Sequence, residues 1–310
     1  MTATLAGLAP GEVRRRMAAE GLALRMQPIT VRVRSPLRAF AAQIHALYRD
    51  YEVLDPRDYA DVDVRMLPVP GVRRFARPQV QFVVDGVTPF EGFPLDHALP
   101  MFEWGLNWVF VHRMHEYLVL HSSVVERDGR AVLLPAWPGS GKSTLAASLA
   151  VRGWRYLSDE FGVIATDSAR VVPFVRPAAL KNASIGVMRA FAPDSFIGPL
   201  FPGTRKGEVA HFSTPAENVR RGGESVDVAA IVFPDFQAGE AATAEPLASS
   251  ATFLKLAGNA FNYETVGARA FAAVTAIVRR ATSHILRYGD LDDAHRALDA
   301  IIAQGKEPRA

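Results

Sequence analysis

The residues with the clearest chemistry are Ala136-Trp-Pro-Gly-Ser-Gly-Lys-Ser143, a glycine-rich run ending in Gly-Lys-Ser. A phosphate group needs several backbone N–H donors converging on one anion. Glycines allow the tight turn and the close approach, and the helix that opens next adds its positive end. The usual pattern is G-x-x-x-x-G-K-[ST], and Ala136 takes the first position here. In that pattern Pro138, Gly139, Ser140, Gly141, Lys142, Ser143 and Thr144 form the phosphate cradle. Lys142 reaches the terminal phosphates and Ser143 ligates magnesium. Pro138 stiffens the entry.

Seventeen residues beyond Lys142 stands Asp159, followed by Glu160. A three-turn helix, a glycine stop at Gly153 and a short strand fill that gap. The acidic pair therefore falls at the carboxyl end of a strand, where α/β sheets bind ligands. One carboxylate can hold Mg²⁺, and the other can take a proton from an attacking hydroxyl. His121 lies upstream on an expected hairpin. If Asp128-Gly129 is its turn, paired positions sum to 257 and His121 faces Ala136 at the mouth of the loop. It is either a histidine held by a backbone carbonyl or a phosphoryl contact.

Lysine is scarce: Lys142, Lys181, Lys206, Lys255 and Lys306 are the only five. A chain that prefers arginine so consistently reserves lysine for places that need a compact ammonium. Lys181 is either a phosphate contact or a half-exposed strand residue. Thr204-Arg205-Lys206-Gly207 is either a mobile loop that brings cations to phosphate or an ordinary basic surface loop.

The elements that must position these groups follow from periodicity. Before residue 115 the pattern is α+β. Strands are expected at Ile29–Val33, Val62–Leu67 and Gln79–Val84, the last turning at Asp85-Gly86, and a helix over Leu37–Tyr51. The most apolar stretch, Ala98–Val111, contains Glu103 and Asn107 and reads as a buried helix or strand, too short and polar to span a bilayer. From Glu116 the pattern is α/β. Strands are expected at Tyr117–Val125, Ala131–Leu134, Trp154–Leu157, Val228–Phe233 and His284–Tyr288. Helices are expected at Lys142–Val151 and Gly267–Arg280, and another runs from an Asp290 or Asp292 cap to about Ala303. A loop is expected at 237–247 and a frayed tail at the carboxyl end.

Composition bounds the rest. The chain has 310 residues, a net charge of +3 and no cysteine, which excludes disulfides and thiolate metal sites. No signal-peptide pattern opens it, and a cytoplasmic location is expected. The arginines are spread, with short pairs such as Arg73-Arg74 and Arg220-Arg221. No nucleic-acid-binding motif accompanies them, so neither nucleic acid nor membrane is expected as a partner.

His121-Ser-Ser-Val-Val, the glycine-rich loop, and Arg152-Gly-Trp-Arg-Tyr-Leu-Ser-Asp159-Glu160 together resemble the HPr kinase/phosphorylase family over residues 117 to 165. More narrowly, the whole chain resembles HPr-kinase-related proteins of unassigned substrate. Their hallmarks are matched by Glu103-Trp-Gly-Leu-Asn-Trp108, Leu180-Lys-Asn182, Thr204-Arg-Lys-Gly207 with Val-Ala-His211, Phe261-Asn-Tyr263 and Leu286-Arg-Tyr-Gly-Asp-Leu291. The resemblance implies an α/β P-loop kinase core of the HPr kinase/phosphoenolpyruvate carboxykinase type over 116–310. A smaller α+β region over 1–115, a candidate for substrate recognition, precedes it. It implies ATP and Mg²⁺ as cofactors and a serine hydroxyl of a peptide or small protein as acceptor. It further implies that His121 contacts the transferring phosphoryl or the acceptor, that Asp159 helps bind metal, and that Glu160 occupies the catalytic-base position. Lys142, Lys181, Arg205 and Lys206 are the candidate phosphate contacts. Glu160 stands where the family has a second Asp, and Lys181-Asn182 where it has Arg-Gly. Two other readings stay open: a small-molecule kinase, and a nucleotide-binding sensor or scaffold without transfer. A homo-oligomer is compatible with the family.

Overall fold

The computed structural model describes residues 3–71, 73–136 and 139–304, with the backbone alone at 73 and 74. Pro138, expected to stiffen the loop entry, and the expected frayed tail from Gly305 lie outside the described residues.

The chain begins with α1 (Pro10–Ala18), β1 (Leu22–Met26), β2 (Ile29–Arg34), α2 (Arg38–Leu47), β3 (Val62–Pro68), α3 (Arg73–Ala76), β4 (Gln79–Val84) and β5 (Phe93–Pro94). The five strands form one sheet in chain order, antiparallel except for the parallel β2–β3 pair. The alternation of Val62, Val64 and Met66 with more exposed residues gives β3 one buried face. The helix expected over 37–51 ends earlier, at Leu47. Beyond it Tyr51 turns inward, and its hydroxyl donates to the Val175 carbonyl at 3.0 Å.

The ambiguous apolar stretch is helix α4 (Ala98–Arg113). It is buried on most of its circumference, so its sequence carries no clean amphipathic period. Gly105 lets it close on β4: a Cβ there would stand 2.2 Å from the Phe82 ring.

A second, seven-stranded sheet follows. Its strands are β6 (Tyr117–Arg127), β7 (Arg130–Pro135), β8 (Arg155–Ser158), β9 (Phe161–Ala165), β13 (Asp227–Phe236), β14 (Thr243–Pro246) and β15 (Thr282–Tyr288). The order is β14-β15-β13-β7-β6-β8, with β9 also on β6. β7, β13 and β15 are mutually parallel, and β6 runs against β7, β8 and β9. A third sheet joins β10 (Ala178–Lys181), β12 (Gly207–Phe212) and β11 (Phe201–Thr204) in that antiparallel order. The helices are α5 (Lys142–Val151), α6 (Ala183–Phe191), α7 (Ala216–Arg220), α8 (Ser249–Gly258), α9 (Tyr263–Val266), α10 (Ala268–Arg280) and α11 (Leu291–Gln304). Asp290 Oδ1 caps α11 by accepting from the amides of Asp292 (2.8 Å) and Asp293 (3.2 Å).

The central sheet is covered on both faces. Val125, Val132, Leu134 and Val232 pack against α5 and α11, whereas Val124, Leu133 and Ile231 pack against α10. The molecule is therefore a mixed α/β protein. The core of the amino-terminal sheet also takes in Val119, Phe161, Val163, Phe174 and Phe201, so it continues into the strands that carry the acidic pair.

β8 and β9 flank Asp159-Glu160 and pair with the same strand, β6: Val124 opposite Ser158 and His121 opposite Phe161. β8 thus ends at Ser158, as expected, and Asp159-Glu160 is the two-residue break between it and β9, with Glu160 at φ 62°. Residues 204–207 form a tight, exposed turn between β11 and β12, with Thr204 paired to Gly207. The expected loop at 237–247 contains β14, an exposed edge strand on β15.

Candidate functional site

The hairpin of β6 and β7 has Ser122 opposite Pro135, the expected register. His121 and Ser123 share the face on which Val125 meets α5, because alternate strand residues point the same way. That face meets the first turn of α5. Gly141 precedes the helix at φ 86°, and a Cβ there would stand 2.6 Å from the Tyr288 hydroxyl. Glycine is required at 141 on both counts. At Gly139 (φ 94°) a Cβ would meet no described atom, so this side of the turn faces open space.

Lys142, the first residue of α5, is 5% exposed and makes no ion pair with a described residue. Burial lowers its proton affinity, with Asp159 and Glu160 opposing that effect. Ser143 Oγ donates to Asp159 Oδ1 at 2.9 Å. Ser123 Oγ donates to the same oxygen at 2.5 Å. Asp159 Oδ2 is buried and has no hydrogen-bond partner among the described residues, and neither has the buried Ser140 hydroxyl. Thr144 is half-buried.

A metal ion can be tested against this donor set. A buried carboxylate oxygen without a donor is short of positive charge. It shares its carboxylate with the Ser143 hydroxyl, and hydroxyl plus carboxylate oxygens suit magnesium, which keeps much of its water. No group of three or more His, Asp or Glu that could hold a metal occurs among the described residues. The fit is therefore to an ion held by Ser143 and Asp159 with outside ligands. Glu160, the other carboxylate of the pair and with Ser143 and Asp159 a candidate metal ligand from the sequence, is engaged elsewhere.

Glu160 Oε1 accepts from Lys181 Nζ at 2.7 Å and from Lys206 Nζ at 3.2 Å. Its Oε2 accepts from Asn107 Nδ2 at 2.9 Å. Burial alone would raise this carboxyl, but Lys181 and Lys206 outweigh it and hold it well below the usual carboxylate range. Burial likewise works against the Lys181 ammonium, and Glu160 more than offsets it. Lys181 comes from β10 and Lys206 from the β11–β12 turn. Asn182, at φ 52°, ties the two together: its Nδ2 donates to the Lys206 carbonyl (3.3 Å) and its Oδ1 accepts from the Glu208 amide (3.0 Å). Arg205 is not at the acidic pair; its guanidinium lies over the Phe93 ring at 5.6 Å.

The His121 backbone is fixed by Asn259, whose carbonyl accepts from the His121 amide and whose Nδ2 donates to the His121 carbonyl, each at 2.8 Å. Its ring lies 5.4 Å from that of Phe261. Burial, then the Lys142 charge, lower its pKa to about 4, so it is a neutral imidazole at neutral pH.

The site thus brings together Gly139 to Ser143, His121, Asp159, Glu160, Lys181 and Lys206. Sequence reasoning missed Ser123 as a partner of Asp159 and Asn107 as a partner of Glu160. Asn107 had a signal: with Glu103 it makes a polar i, i+4 pair within the apolar stretch Ala98–Val111. No protein-family model matches the chain, and no curated protein matches it.

Proposed function

We propose that the chain is an ATP- and Mg²⁺-dependent kinase with an HPr-kinase-like P-loop core, acting on a serine hydroxyl of a peptide or small protein. The observation that carries this reading is the Ser143–Asp159 pair at the start of α5. One Asp159 oxygen is satisfied and the other is buried without a donor among the described residues, beside buried Lys142, which makes no ion pair with any of them. A helix amino terminus, a lysine and a hydroxyl–carboxylate pair are the parts phosphoryl transfer uses for charge stabilisation and positioning.

In this reading the amides of the 139–143 turn and Lys142 hold the phosphates, and Ser143 and Asp159 hold magnesium. The ion supplies neutralisation of phosphate charge when bound. Ser123 fixes the Asp159 carboxylate so that Oδ2 faces the ion. Glu160 accepts the proton of the acceptor hydroxyl. It is a weak base while both lysines neutralise it, so Lys181 and Lys206 exchange Glu160 for phosphate oxygens in the working complex, which raises its proton affinity. Neutral His121 offers a hydrogen bond at the same mouth. A second reading, a nucleotide-binding sensor without transfer, draws on the same saturation of Glu160.

The test combines purified protein, Mg²⁺, γ-labelled ATP and fractionated host lysate, with Lys142→Ala and Glu160→Gln run beside the wild type. The expected result is label on one serine-containing peptide or protein, reduced at least about a hundredfold in both variants. Label on a metabolite would move the acceptor to small molecules. ATP binding by wild type and Glu160→Gln with no transfer by either would favour the sensor.

A further inference from the structure

The Glu160 carboxylate is held asymmetrically. Oε1 takes two lysines, each a flexible ammonium, whereas Oε2 takes one neutral donor from a helix. That donor, Asn107, is itself locked. Its Oδ1 accepts from Arg176 Nη2. A guanidinium only donates, so Asn107 must turn its carbonyl to Arg176 and its NH₂ to Glu160. Arg176 is fixed in turn: Nη1 donates to Glu103 Oε2 at 3.1 Å and to the Glu103 carbonyl at 3.3 Å, and the guanidinium lies over the Phe174 ring at 4.5 Å. The Tyr48 hydroxyl donates to the other Glu103 oxygen. Tyr48, Glu103 and Arg176 are buried, which favours well-defined partners over exchange with water.

We propose that Asn107 is a positioning residue for Glu160, its amide aimed by the Arg176–Glu103–Tyr48 chain, so that the amino-terminal region completes the kinase site. The proposal rests on the reading of Glu160 as the reacting carboxylate. The chain orients Oε2 from α4 and leaves that oxygen with a free lone pair for the incoming proton when the lysines turn to phosphate. It also gives the amino-terminal sheet and its helices a role in the chemistry beyond covering the core.

The experiment uses the full chain. Asn107→Asp is isosteric and keeps an acceptor for Arg176, but it removes the donor to Glu160; Asn107→Leu removes both. Both are expected to lower kcat at least about tenfold while KM for ATP stays within about twofold. Arg176→Lys keeps the charge but loses the fork and should give a smaller loss of the same kind. A kcat within twofold of wild type in folded Asn107→Asp, or a loss confined to KM, overturns the proposal. If the wild type transfers no phosphate, the functional reading falls and the positioning claim is judged by NMR. The Asn107 side-chain NH₂ signals, assigned by their loss in Asn107→Asp, must then move in Glu160→Ala. Unmoved signals overturn it.

Discussion

At the scale of single residues, the chemistry turns on how burial and neighbouring charge set proton affinity. His211 is 1% exposed, and neither ring nitrogen has a hydrogen-bond partner among the described residues. Burial, then the Arg176 charge, lower its pKa to about 4. An unfolded histidine protonates near pH 6.5. Between pH 6.5 and 4 the unfolded chain therefore binds a proton that the folded chain refuses, so stability falls as pH falls through that window. The loss approaches about 3 kcal/mol for one such residue. His121 acts in the same direction. Glu160, whose carboxyl is depressed, contributes stability that is intact above about pH 4.3 and fades below it. Thermal unfolding of wild type and His211→Gln at intervals from pH 7 to 4.5 separates these effects. The variant should lose less stability across the window than the wild type. Parallel curves would show that His211 does not drive the acid sensitivity.

At the scale of elements, the β11–β12 turn shows how a lysine is aimed. Asn182 holds it by two hydrogen bonds while sitting at φ 52°, ψ −126°, outside left-handed α and in a region non-glycine residues rarely enter. Asn182→Ala removes the bonds and adds backbone strain; Asn182→Gly removes the bonds alone. Both should raise amide hydrogen exchange over residues 204–208, but only the alanine variant should lose an additional 1 kcal/mol or so of stability. Equal stability of the two would mean that the backbone conformation carries no cost. The same elements explain what the sequence makes legible. Helix α5 is readable at both ends because Gly141 and Gly153 punctuate it, and the β6–β7 register follows from its two-residue turn. The β8–β9 continuation is not readable, because the two-residue break at Asp159-Glu160 looks like a plain strand end until the shared partner strand is known. β14 is exposed along its whole length and has no buried face to alternate with. In the site, Lys142, Ser143 and Asp159 are local to one motif, whereas Asn107, Arg176 and Glu160 meet only through folding.

At the scale of the whole molecule, the decisive contact is the seat of α4 on the amino-terminal sheet, because α4 carries Asn107 to Glu160 and Glu103 to Arg176. Gly105 sets how closely the helix can lie: a Cβ there would stand 2.2 to 2.5 Å from three atoms of the fully buried Phe82 ring. Helix and sheet would have to separate, or the ring would have to leave its place, and overpacking of this kind costs about 1–3 kcal/mol. Gly105→Ala should therefore lower thermal stability and, through the displaced helix, weaken the Asn107–Glu160 bond and the proposed phosphoryl transfer. Phe82→Leu shortens the obstructing side chain at the cost of a smaller core residue. If the clash is the cause, the double variant is destabilised by less than the sum of the singles, with a coupling of about 1 kcal/mol or more. Additive losses would place the effect elsewhere, because two residues that do not compete for space have no reason to compensate. Activity measured on the same four proteins extends the cycle from packing to chemistry. Recovery of transfer together with stability in the double variant would tie the seat of α4 to the state of Glu160. Recovery of stability alone would leave the helix correctly packed but Asn107 misaimed, a separation that sheet packing by itself cannot produce.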